Sequence, residues 1–305
     1  MKSDIIRGAW LVALVPLLGG AVEGSEPPPV PEELTCPIQE ETEDLAAGVS
    51  VWHGCYGIRG QAVVHTARID LTDPAIRFRT TAGNGDRERE FNAAKTSTFA
   101  TSIDAVLAVN AGYFEPFNSG THGEPAYPQE SDSVNVMGQH ISDGVEVSDD
   151  SIDVPRFRLR VDGAFCATWN SARIVEGTCS AGTAHGVGAG PLLMRDAQSP
   201  SFTKFDARFS LKRAPRSVLA LNGNRSVLWI IVVDGRQPGY SEGMNLPEMA
   251  DYLRSIGATD ALNLDGGGSA VLVGPEGRLL SRPIQEGVPG RERVVANHLG
   301  VIVDD

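Results

Sequence analysis

Apolar and polar residues alternate along several stretches of the chain. Val63-Val-His-Thr-Ala-Arg-Ile-Asp-Leu71 is one, and it predicts a β-strand. Asp73-Pro74 turns it, and Ile76-Arg-Phe-Arg-Thr80 alternates again. Phe91 to Ile103 reads as a helix. A short buried strand over 105–109 follows and runs into Asn110-Ala-Gly-Tyr-Phe114. Residues 115–150 carry Pro116, Asn118-Ser-Gly120, Gly123 and Pro125 and read as loop. Further strands are expected at 157–161, 217–221, 227–233 and 261–264, with Asn222-Gly223 as a hairpin signal between the second and third. The unbroken apolar run 227–233 predicts a strand covered on both faces. One helix is well marked: Asn245 is an N-cap, Pro247 lies in the first turn, and Glu248 sits at the capping-box position. Leu246, Met249, Ala250, Leu253 and Ile256 form its apolar stripe, and Gly257 ends it.

The first residues follow other rules. Lys2 and Arg7, the apolar run 9–18 and the small residues from Gly19 to Gly24 read as a secretory signal over 1–24. The run is too short to span a bilayer, and no Cys follows it to carry a lipid, so no stable membrane anchor is expected. Residues 25–48 are rich in Pro and Glu and are expected to form a mobile leader. Residues 49–305 show neither repeat nor linker and are expected to fold as one catalytic-size domain. Export implies a secreted or periplasmic protein, where disulfides persist. The four cysteines suggest two short bridges, Cys36–Cys55 and Cys166–Cys179.

Charge narrows the partners. The net charge is −13, which gives no general attraction to nucleic acid or anionic lipid. Only Lys2, Lys95, Lys204 and Lys212 are lysines among 26 basic residues, so 22 are arginines, whose planar fork suits carboxylate or phosphate. Asp143, Glu146, Asp149, Asp150 and Asp153 lack the spacing of a calcium loop and read as a solvated acidic stretch. The six histidines show no H-E-x-x-H or close pairing, so no metal site is expected.

The sharpest local signal is Asn263-Leu-Asp-Gly-Gly-Gly-Ser269 at a strand end. Three glycines allow a tight turn and let an anion reach main-chain N–H groups. Asp265 could act there as a base, or could simply cap the turn. A phosphate-binding loop of the Gly-Lys-Ser type is absent, Gly186-Val-Gly-Ala-Gly190 lacks the dinucleotide spacing, and Ser269 lacks a nucleophile-elbow frame. Asp234-Gly-Arg236, Arg216 and Arg293 lie at other strand ends, where a scaffold displays reactive groups.

Seven segments in this order carry a resemblance: Asn110-Ala-Gly-Tyr-Phe114, Gly190-Pro-Leu-Leu193, Ala214-Pro-Arg-Ser217, Val233-Asp-Gly-Arg236, Gly243–Ala250, Asn263–Ser269 and Arg293-Val-Val-Ala-Asn297. Together the chain resembles the phosphodiester glycosidase family over roughly 60–303. The family implies an α+β fold of two twisted, largely antiparallel sheets flanked by helices. It also implies hydrolysis of the sugar C1–O–phosphate bond of a glycosyl-1-phosphodiester, without a cofactor. Under that resemblance Arg216 and Arg293 would hold phosphate by charge-assisted hydrogen bonds, and Arg236 would bind substrate. Gly266, Gly267, Gly268 and Ser269 would line the substrate, with backbone dipoles from the glycines. Asn110 would contact sugar or phosphate, and Asp265 or Asp234 would act at the anomeric carbon. Segment 121–138 looks like an insertion near the site. Two other readings stand beside this one: a non-catalytic glycan- or phosphate-binding domain, and a metal-dependent phosphodiesterase.

Overall fold

The computed structural model describes residues 36–57, 61–85, 89–116, 126–149 and 161–304. The expected signal segment, residues 25–35 of the leader and the expected strand 157–161 (save Val161) lie outside them. Strands and helices are numbered in chain order. Neighbouring residues of a strand point to opposite faces, and in β16 (Val227–Val233) both faces are dry. Leu228, Ile230 and Val232 enter the main core, while Ile231 and Val233 enter a second one. β16 is the middle strand of a seven-stranded sheet. Its order is β1 (Glu41–Ala46), β2 (Val49–Tyr56), β3 (Ala62–Asp70), β16, β15 (Arg216–Leu221), β17 (Asp260–Asn263) and β14 (Leu192–Met194). Every neighbouring pair is antiparallel.

Two further antiparallel sheets share the main core. One is four-stranded, β18 (Leu272–Val273), β6 (Leu107–Asn110), β21 (His298–Val303) and β4 (Ile76–Thr80). The other is five-stranded, β10 (Val145–Ser148), β9 (His140–Ser142), β13 (His185–Ala189), β11 (Gly163–Ala167) and β12 (Ala172–Glu176). Phe78, Leu107 and Val301 from the first, and Phe165, Ile174 and Val187 from the second, pack with Leu219, Ile230 and Leu262 of the large sheet. Two smaller groups complete the β-structure: β5 (Phe91–Asn92), β8 (Ser133–Val136) and β7 (Phe114–Glu115), and the pair β19 (Ile284–Gln285) and β20 (Val288–Pro289).

Helix is the minor component. α1 (Thr96–Ser102) packs Phe99 and Ala100 against Ala108 and Val273. α2 (Ala207–Ser210) is one turn. α3 (Leu246–Ser255) lays Leu246, Met249 and Leu253 over Val218, Ala220 and Ile231 on the outer face of the large sheet. Its capping box forms as read: the Asn245 side chain accepts from Glu248 N at 2.9 Å, and the Glu248 carboxylate accepts from Asn245 N at 3.0 Å. The expected antiparallel sheets are present, but the α+β expectation overstated helix, and the fold is mostly β.

Several local readings need correction. The helix expected over 91–103 begins only at Thr96, because Phe91 is buried and pairs with Val134 in β5–β8. The 115–150 loop contains β8, β9 and β10. Their turn, Asp143-Gly144, has φ of 48° and 77°, as a two-residue hairpin requires. By contrast, β15 and β16 join through five residues, 222–226, rather than a two-residue Asn-Gly turn. Residues 41–46, assigned to the leader, form β1 at the sheet edge. Both disulfides pair as expected, Cys36–Cys55 and Cys166–Cys179. No helix among the described residues is long and apolar enough to cross a membrane.

Gly243 joins the fold to the cleft described below. It has φ of 90°, and a Cβ there would run into the backbone of Ala214, whose N–H and C=O exchange hydrogen bonds with Met244. Gly243→Ala is expected to cost about 2–4 kcal/mol, read as a shift in the denaturant midpoint; an unchanged midpoint contradicts the packing. Replacing Cys166 and Cys179 by Ala is expected to cost about 2–4 kcal/mol, with non-reducing peptide mapping of the wild type showing the two bridges and no 55–166 link.

Candidate active site

The Asp265 loop starts where β17 ends, between two sheets. Leu264 N donates to Ser217 O and Asp265 N donates to Ala111 O, both at 2.8–2.9 Å, so β15 and the residue after β6 hold it from either side. Asn110 locks this junction. Its Nδ2 donates to Asp265 O at 2.7 Å, while its Oδ1 accepts from Ser217 Oγ and Val271 N. With both ends engaged and the residue buried, Asn110 positions the loop instead of contacting substrate.

The three glycines are required by crowding. A Cβ on Gly266 would meet Pro215 O at 2.8 Å, and one on Gly267, at φ 62°, would meet Arg236 Nη2 at 2.9 Å. A Cβ on Gly268 would overlap the Arg293 guanidinium. Two guanidinium groups therefore lie directly on the loop, where a side chain would exclude them. The loop is not an open nest of amides. Gly266 N donates to Asp265 Oδ1 at 2.9 Å and Gly267 N donates to Pro215 O at 2.9 Å, so both are occupied.

Asp265, Gly266, Gly267 and Gly268 line a cleft of about 410 Å³ with Tyr113, Tyr127, Phe209 and five basic residues: Arg208, Lys212, Arg216, Arg236 and Arg293. Asp265 supplies the single carboxylate of that lining among the described residues. Its Oδ2 is buried and lacks a hydrogen-bond partner among the described residues. Burial pushes the carboxyl above the usual Asp range, opposed by the Ser269 hydroxyl, Arg293, the Gly266 amide and Arg236. A buried carboxylate oxygen without a hydrogen-bond partner costs stability unless a ligand or reaction uses it.

Arg216 is buried, and its fork is turned inward. Nε donates to Met244 O at 3.0 Å, and Nη2 donates to Phe209 O and Lys212 O at 2.8 and 3.1 Å. Its guanidinium lies over the Phe209 ring. Burial, with a smaller contribution from Arg236, lowers its pKa to about 10. Nη1 is the one guanidinium nitrogen of Arg216 without a hydrogen-bond partner among the described residues. Arg293 is tethered likewise, Nε to Gln285 Oε1 at 2.7 Å and Nη1 to Ser269 Oγ at 3.2 Å. Burial lowers its pKa, with Asp265 opposing. Ser269 thus braces Arg293 and does not itself line the cleft.

Asp234 does not join Asp265. It is absent from the cleft lining and fully buried within the large sheet. Its carboxylate accepts from His65 Nε2 at 2.9 Å, Tyr240 OH at 3.0 Å and Arg282 N at 2.9 Å. His65 in turn meets His53 through their Nδ1 atoms at 2.7 Å. A carboxylate so satisfied is a structural anchor, which removes Asp234 from the candidate catalytic pair. The sequence reading missed Arg208, Lys212, Phe209 and Tyr127. The density of basic residues in Arg208-Phe-Ser-Leu-Lys-Arg-Ala-Pro-Arg216 was the available signal for the first two. Tyr127 lies in the expected insertion, whose residues 121–125 fall outside the described part.

The fold resembles those of solved structures. A zebrafish N-acetylglucosamine-1-phosphodiester alpha-N-acetylglucosaminidase catalytic domain, solved auto-inhibited by its pro-peptide, is 19% identical. The alignment covers 88% of this chain and 81% of that one, with a TM-score of 0.57. A hypothetical protein from Synechocystis is 20% identical over 87% of this chain, with a TM-score of 0.60, and the match spans 64% of that protein's length. No curated protein matches by sequence. The phosphodiester glycosidase family matches residues 104–302, a stretch that holds Tyr113, Arg216, Arg236, Asp265 and Arg293. With more than half of the chain matched, and the cleft residues inside the match, the protein belongs to the phosphodiester glycosidase family.

Proposed function

We propose that this cleft hydrolyses the bond between a sugar's anomeric carbon and phosphate in a glycosyl-1-phosphodiester. One observation carries the reading: a single desolvated carboxylate, Asp265, faces five basic side chains in one cleft. Carbohydrate alone would not need that cation density, and a net charge of −13 makes it a local feature. Most glycosidases use two carboxylates, one of them to protonate the leaving oxygen. A phosphodiester leaves as a weakly basic anion, so positive charge can replace the acid. The cations stabilise charge as it develops on phosphate. Asp265, ionised, attacks the anomeric carbon or takes a proton from the attacking water. Tyr113 OH is committed to Gly190 O at 2.7 Å and shapes the wall. Two disulfides suit an oxidising compartment, and with the signal segment read from residues 1–24 they support an exported enzyme acting on an envelope or extracellular glycan.

Asp265→Asn keeps size but removes the charge. Turnover of an N-acetylglucosamine-1-phosphodiester is expected to fall by about 10²-fold or more; equal rates with unchanged melting would remove Asp265 from the mechanism. Because burial raises the Asp265 pKa, its active ionised form is lost below an acid limb that lies above the ordinary Asp value of about 3.9. The kcat/KM profile is expected to rise with pH through that limb, and the residual activity of Asp265→Asn to lack it. In oxygen-18 water, label is expected in the released sugar. Label in phosphate instead would mark a phosphodiesterase cutting the other side of the linkage, and binding without turnover would mark a lectin-like domain.

A further inference from the structure

Arg208, Phe209 and Lys212 reach the Asp265 cleft from one short segment, α2 and the two residues after it. That segment has little of its own to hold it. A single helical turn does not persist without tertiary support. Asp206 caps its start, with Oδ1 accepting from Arg208 N at 2.7 Å. Its apolar anchorage is slight: Phe209 is partly buried against the second core, and Leu211 is 60% exposed. The remaining support comes from Arg216 on β15. Its Nη2 donates to Phe209 O and Lys212 O, its Nε donates to Met244 O, and its guanidinium covers the Phe209 ring. The two α2-side carbonyls are acceptors left over at the end of a helical turn, which a basic side chain can satisfy. Arg208 and Lys212 themselves are exposed, and neither has a carboxylate partner among the described residues. Like charges four residues apart repel, so the segment is most stable with an anion beside both.

We infer that Arg216 is a positioning residue: it acts through α2, holding Arg208 and Lys212 where they meet the negative charge that cleavage places on phosphate. This rests on the proposed phosphodiester cleavage. In that reaction the bond from C1 to the phosphate oxygen breaks, and its electron pair stays on that oxygen. A water oxygen bonds to C1, and its proton passes to Asp265 acting as base. A singly charged diester thereby becomes a monoester of charge about −1.5 to −2 at pH 7. Cations that meet the added charge act on the transition state more than on bound substrate, so their loss lowers kcat more than it raises KM. Arg208 and Lys212 suit that task, because exposed side chains follow a departing group. Arg216, tied to three carbonyls, is not free to do so.

The test is a double-mutant cycle on methyl N-acetylglucosamine-1-phosphodiester, comparing Arg216→Lys, R208Q/K212Q and the triple variant. Lysine keeps the charge at 216, but one ammonium cannot span Met244 O and the two carbonyls of α2. Arg216→Lys and R208Q/K212Q are each expected to lower kcat by about tenfold or more, with KM changed less. In the R208Q/K212Q background, Arg216→Lys is expected to change kcat by less than about twofold, because its effect runs through the side chains already removed. Amide hydrogen exchange over 206–212 is expected to quicken in Arg216→Lys while β15 stays protected. Multiplicative losses in the triple variant, or unchanged exchange over 206–212, overturn the inference and leave cleavage intact. R208Q/K212Q alters only exposed side chains, so if Arg216→Lys does not fold, a loss below about twofold in that variant overturns it instead. If the wild type hydrolyses no such diester, the same cycle is read from the Kd of inorganic phosphate by calorimetry. Non-additive Kd values there keep the positioning role and overturn cleavage; additive values or no binding overturn both.

Discussion

A carboxylate kept out of water among guanidinium groups is the constraint on which the rest of this structure turns. Asp265 on its own would be driven to its neutral form by burial. The guanidiniums oppose that drive, but they repel one another and must be fastened. The fold fastens them with neutral groups. Arg216 is tied to three backbone carbonyls, and Arg293 to a carboxamide and a hydroxyl. Neither has a carboxylate partner within hydrogen-bond distance among the described residues. Positive charge is thereby left available to an anion from outside.

The sheets exist, in functional terms, to hold that loop. Asp265 follows β17, Arg216 opens β15, and Asn110 ends β6 in the opposite sheet. A loop bonded to both sheets cannot shift without breaking Asn110's three hydrogen bonds. The triple glycine then has a packing reason beyond turn geometry. Two guanidinium planes occupy the volume where side chains would stand. The same crowding explains why two of the loop amides face inward, and why anion recognition falls to side chains.

Much of this was legible in the residues. The apolar run 227–233, the Asn245 capping box and the order of the seven segments fixed the large sheet, its covering helix and the family. The Asp265 loop was recognisable by its glycines, and the disulfide pairs by their separation. What escaped was set by tertiary contact. Asp234 and Asp265 look alike as strand-end carboxylates, and only the packing of His65, Tyr240 and Arg282 separates an anchor from a reactive group. Arg216 was recognised, but its inward fork depends on carbonyls of residues 209, 212 and 244, which no local pattern specifies. The strands between 114 and 148 run only two to four residues, too short for alternation to register. The Asp143-Gly144 turn lies inside a run of acidic residues, whose charge pattern carries no information on backbone shape.

The contact between His53 and His65 carries a further implication. Asp234 accepts the proton on His65 Nε2, so a neutral His65 presents a lone pair at Nδ1, and His53 must supply the shared hydrogen. The tautomers of both rings are thereby fixed from one carboxylate. Burial, and next His65, hold His53 below the usual histidine range. The unfolded chain takes up that proton more readily, so acidification below the ordinary histidine value of about 6.5 favours unfolding at this point. A chain of three side chains, His53, His65 and Asp234, thus gives the scaffold an acid sensitivity of its own, separate from that of the cleft.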